Sequence, residues 1–168
     1  MKPYNLRIDY HHERLNAKQV SLLFISVLIA LLLSVISLPS ICSDVMPLWA
    51  VLVVCYWVMV WGYCVNLSFA WFVGFFLDVL QGGMLGEHAL ALVVVAFVMY
   101  QFRRRIRMFL WLKQMLTIFM LTFLYQVIVY AVHGFAKQGL PSLWFWLAPC
   151  VSALVWPGVN TLLNRLRA

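Results

Sequence analysis

The stretch FAWFVGFFLDVLQGGMLGEHA, Phe69 to Ala89, sets one carboxylate, Asp78, late in an apolar run and follows it with Gly82, Gly83 and Gly86, then Glu87 and His88. An ionisable side chain at membrane depth costs about 3 kcal/mol or more, so something in the folded chain must hold Asp78. The glycines supply turn conformations. They are needed, because the apolar chain from Leu67 to Phe102 would extend roughly 54 Å as one helix, well beyond a ~30 Å hydrocarbon layer. The run therefore folds back between Gln81 and His88. This leaves a short helix, Leu67 to Leu80, of about 21 Å, which is tolerated when neighbouring helices shield it and the turn is buried in protein.

The rest of the chain is of the same kind. Of its 168 residues 65% are hydrophobic and only 10% charged, with a mean hydropathy of +0.95, whereas charged residues make up about a quarter of a soluble domain. The composition predicts an all-α integral membrane protein with six transmembrane helices in one bundle. The expected organisation is a tail over 1–19, a membrane domain over 20–164 and a short end over 165–168. Within the domain, spans are expected at about 20–38, 45–65, 67–80, 85–102, 109–132 and 141–163, with Pro149 and Pro157 kinking the last. Gln114 and Gln126 are candidates for bonds across helices.

Basic residues set the expected orientation. With the N-terminus in the cytoplasm, Lys2, Arg7, Arg14, Lys18, Arg103, Arg104, Arg105, Arg107, Lys113, Arg165 and Arg167 fall inside and only Lys137 outside, as the positive-inside rule requires. The cluster Arg103, Arg104, Arg105 and Arg107 is thus read as topology-setting and not as a nucleic-acid surface, since spans flank it on both sides. Trp49, Trp144 and Trp146 are expected at the outer interface and Trp61 and Trp111 at the inner one, with Trp57, Trp71 and Trp156 packed deeper.

No catalytic constellation is present. A lone Asp78 lacks the second carboxylate of an aspartyl site, Glu87-His88 is not HExxH, and there is neither a G-x-S-x-G elbow nor a Walker A loop. His11-His12 has no third ligand nearby, and Cys42, Cys55, Cys64 and Cys150 show no metal spacing. No enzyme, cofactor or metal is expected. What does stand out is Ala70, Gly74, Asp78 and Gly82, four residues apart along one helical stripe, where small residues let another helix approach closely. Asp78 would then face protein, accepting bonds from a neighbouring helix N-terminus, from hydroxyls, or from His88.

Pro47-Leu48-Trp49, Tyr56-Trp57, Gly74-Phe75-Phe76-Leu77-Asp78-Val79-Leu80-Gln81-Gly82, Leu85-Gly86-Glu87-His88-Ala89-Leu90, the Tyr100 to Arg107 stretch and Trp111-Leu112-Lys113-Gln114 together form a pattern. It resembles the bacterial rod shape-determining MreD family over nearly the whole chain after Lys18, with Gly62 departing from it where relatives often have proline. The resemblance implies a multi-pass protein of the bacterial inner membrane, with both termini cytoplasmic, in the cell-elongation complex. The implied partners are an MreC-like single-pass periplasmic protein, an MreB-like actin filament and a peptidoglycan glycosyltransferase and transpeptidase pair, alongside membrane lipids. It also implies a fold similar to the substrate-binding subunits of energy-coupling vitamin transporters. Two functions follow as expectations. One is a non-enzymatic scaffold supporting peptidoglycan synthesis and rod shape, with Gly74, Asp78, Gly82, Gly86 and His88 as its interaction core. The other is a subunit that binds a small molecule or carries a lipid-linked substrate, which would show an apolar pocket converging on Asp78 or His88.

Overall fold

The computed structural model describes residues 17–35, 46–62, 65, 67–82, 85–108, 111–135 and 143–167. Residues 1–16 of the expected tail, with His11-His12, and Cys42, Cys64, Gly83 and Lys137 lie outside them, while residues 17–19 open α1. Among the described residues all regular structure is helical: α1 Ala17–Val35, α2 Trp49–Trp61, α3 Leu67–Gln81, α4 Glu87–Arg107, α5 Trp111–Phe135 and α6 Ala148–Arg167, the last preceded by a 3-10 turn at Leu143–Leu147. Three stretches are long and apolar enough to cross a membrane, Lys18–Val35, Trp111–Gly134 and Phe145–Arg167, while α2 and α3 are shorter apolar helices.

The helices are arranged around α2. It packs on α1, α4 and α6, and the others touch in sequence around it, α1 on α3, α3 on α4, α4 on α5, α5 on α6 and α6 back on α1. Every residue of α2 from Ala50 to Met59 is buried. A helix apolar all round suits a site enclosed on all sides, and its length of about 20 Å is not felt as mismatch where protein surrounds it. Three hydrogen bonds pin α2 to its neighbours. Trp57 Nε1 donates to Ser26 Oγ of α1 at 2.8 Å, the Tyr56 hydroxyl donates to Asn164 Oδ1 of α6 at 2.9 Å, and the Leu48 N–H donates to Ser152 Oγ at 2.9 Å.

Several expectations are corrected. Helix α4 runs on past 102, the expected end of the fourth span, and carries the arginine cluster in its last two turns. Residue Arg103 is buried there, its guanidinium 4.4 Å from the Tyr100 ring centre and packed against Gly62, where a side chain would collide with it. Pro149 lies not in the interior of α6 but in its first turn, where its missing N–H is no loss. Trp57 and Trp156 are deep, but Trp71 is 45% exposed and stacks on Phe75. Hydrocarbon accepts that indole face as readily as a protein core does. Gln126 does bond out of its own helix, its Nε2 donating to the Phe145 carbonyl at 2.7 Å, and Gln114 Nε2 donates to the Ile106 carbonyl at 3.1 Å.

Candidate functional site

Helix α3 ends where the sequence supplies a left-handed residue. Gly82, at φ +67°, donates its N–H back to the Asp78 carbonyl at 3.0 Å, the αL form of helix termination. The chain re-enters helix at Gly86, at φ +100°, whose carbonyl accepts the Leu90 N–H at 2.9 Å. Glycine at this N-terminal boundary brings no side chain to cap α4, so the first N–H groups of α4 have no local acceptor.

Asp78 supplies it from the preceding helix. Its Oδ2 accepts the N–H of Gly86 at 2.8 Å and lies 3.4 Å from that of Ala89, and its Oδ1 accepts the N–H of His88 at 2.9 Å. An N-cap side chain ordinarily sits next to the helix it caps; here it arrives eight residues early in sequence and from another helix. The carboxylate, 1% exposed, is thereby met by three donors and by the positive end of the α4 dipole. That answers what holds Asp78 in an apolar chain.

The geometry depends on Gly74, one turn before Asp78. A β-carbon there would collide with the backbone of Ala89 and with the His88 carbonyl oxygen, so α3 and α4 touch main chain to main chain. Ala70 and Ala89 are buried on either side. The stripe of small residues thus holds for Ala70, Gly74 and Asp78. Gly82 is exposed, with nothing near a β-carbon, and contributes its backbone conformation in place of packing. Gly86 does the same.

The His88 ring turns away from Asp78. Its Nε2 stands 2.7 Å from Gln81 Oε1 and its Nδ1 3.0 Å from the Tyr125 hydroxyl, an arrangement satisfied by a neutral imidazole protonated at Nε2. The ring stacks on Tyr125. Next to it Glu87, also buried, lies 2.9 Å from His133 Nδ1 on α5, without hydrogen-bond alignment. Tyr125 and His133 were not among the expected site residues. Tyr125 carried only the signal of a polar atom inside the expected fifth span, and His133, eight residues on, falls just past that span's expected end at 132. Among the described residues no group of three His, Cys, Asp or Glu side chains could hold a metal.

The basic cluster lies at the other end of the helices. Arg103, Arg104, Arg105 and Arg107 close α4, Lys113 opens α5, and Arg165 and Arg167 close α6. Neither cavity described below reaches Asp78 or His88.

Apolar helices enclosing a helix that is buried all round, with a carboxylate spent on capping, define an all-helical integral membrane protein. The family model for rod shape-determining protein MreD matches residues 16–166, and the chain belongs to that family. The rod shape-determining protein MreD of Haemophilus influenzae is 27% identical over 124 residues, covering 72% of this chain and 75% of that protein. No solved structure matches the chain. Membership supports a role in determining rod shape.

Proposed function

We propose that the chain is a non-enzymatic scaffold subunit of the cell-elongation complex, with six spans and both termini in the cytoplasm of a bacterium's inner membrane. It would bind an MreC-like single-pass protein and, through it or beside it, an MreB-like filament and the glycosyltransferase and transpeptidase that build peptidoglycan. The observation that carries this reading is the commitment of Asp78. Three main-chain donors occupy its oxygens, which leaves the buried charge holding helices together and not presented to a substrate. The segregation of charge supports the orientation, since the arginines and lysines gather where α4 and α6 end and α5 begins, and Asp78 and Glu87 stand where α3 ends and α4 begins. Positive residues are retained on the cytoplasmic side.

A subunit that binds a small molecule or carries a lipid-linked substrate would present a cavity converging on Asp78 or His88; the space beside α4 and α5, lined by Val98, Phe102 and Leu121, is elsewhere. Gentle affinity purification from native membranes with mass spectrometry separates the two readings. Recovery of a single-pass periplasmic protein with cell-wall synthases is the expected result. Recovery of paired ATPases, or of one small molecule per chain that is not a bulk membrane phospholipid, would overturn the scaffold.

A further inference from the structure

Between α1, α2 and α6 runs a groove of ≈ 390 Å³. Ser26, Ile29, Leu33, Val53, Val159 and Leu162 line it, Trp49 closes one end, and Lys18 and Leu166 stand at the other. It opens sideways, because Ile29 and Leu162 are half or more exposed. Lys18 is the cationic side chain of the lining, and Arg165 and Arg167, in the last turn of α6 on either side of Leu166, put two more cations at the same end of the helices, within reach of a headgroup at the mouth. The carboxylates among the described residues, Asp78 and Glu87, are engaged at the opposite end of the helices.

We propose that this groove is a binding site for one anionic phospholipid, an acyl chain lying between α1 and α6 and the phosphate held by Lys18, Arg165 and Arg167. The groove is lined mostly by aliphatic side chains and lies open along one side, which suits an acyl chain entering from the surrounding lipid. The charges fit too, since each basic side chain near an anionic headgroup strengthens association, and the walls below them are apolar. The site is separate from the α3–α4 cap and independent of which proteins the chain binds.

The test is native mass spectrometry of the full chain in detergent, titrated with phosphatidylglycerol or phosphatidylethanolamine of the same acyl composition. The wild-type chain is expected to hold one phosphatidylglycerol with about tenfold preference or more, as three basic contacts imply. In the triple variant Lys18→Gln, Arg165→Gln, Arg167→Gln that preference should vanish while elution and helical circular dichroism stay unchanged. Ile29→Trp, which fills the groove, should weaken both lipids. Equal binding of the two lipids to the wild-type chain, or an undiminished preference in the triple variant, would overturn the site. So would efficient cross-linking, in native membranes, of Leu162→Cys to a second copy or to a partner helix, because protein would then occupy the groove.

Discussion

Asp78 binds His88 through the main chain and not through the imidazole: Oδ1 accepts the backbone N–H at 2.9 Å while the ring spans Gln81 and Tyr125. The carboxylate and the ring of His88, which the sequence offers as one candidate donor to it, therefore serve different partners. The carboxylate fastens the start of α4, and the ring fastens α4 to α3 and α5.

Substituting the carboxylate separates its shape from its acceptors. Asp78→Asn turns an amide donor toward one of the N–H groups and should lose about 1–3 kcal/mol of stability, whereas Asp78→Ala strands all three donors and should lose more. Unfolding in detergent, followed by circular dichroism against temperature, gives the order. Normal accumulation and full rod shape in cells carrying only Asp78→Asn would show that the charge itself does no work.

Gly74→Ala should be costly for one methyl group. The new carbon meets backbone that cannot rotate away, and overpacking of this kind costs about 1–3 kcal/mol. Gly158→Ala, inside α6 with open space around it, is the matched control, and should be neutral or stabilising by up to about 1 kcal/mol. Equal melting behaviour of the two variants would contradict the close contact between α3 and α4.

At Gly82 and Gly86 the cost should be conformational alone. Gly86→Ala is expected to lose about 1–2 kcal/mol through its left-handed backbone, with nothing nearby to collide with. Gly82→Asn should be nearly silent and Gly82→Val should not, since asparagine enters the left-handed region and β-branched residues resist it. The same unfolding assay ranks all three.

The ring of His88 and the hydroxyl of Tyr125 should be energetically coupled. Tyr125→Phe removes one hydrogen bond and should cost about 1 kcal/mol. Combining it with His88→Ala should cost less than the sum of the two by about 0.5 kcal/mol or more. Additive losses would mean the pair is merely adjacent.

The turn and its carboxylate were legible because both break a rule of apolar sequence. Glycines at Gly82 and Gly86 interrupt a run too long to be one helix, and Asp78 at that depth demands a partner; a helix N-terminus was among the expected ones. The centrality of α2 was not legible. In a membrane the face toward lipid is as apolar as the face toward protein, so Trp57, buried, and Trp71, exposed, carry the same signal. Arg103 was hidden for the opposite reason. Three arginines around it are exposed, and only the absence of a side chain at Gly62, far away in sequence, makes room for it.

The enclosure of α2 also bears on how the protein is made. When α2 leaves the ribosome only α1 can cover it; α4 arrives later, and α6, which supplies Ser152 and Asn164 to its hydrogen bonds, is the last helix described. Until α6 is synthesised, the Tyr56 hydroxyl and the Leu48 N–H lack their acceptors. The centre of the molecule is thus an early product completed by a late one, and quality-control proteases would meet a nascent chain whose core is still open along one side.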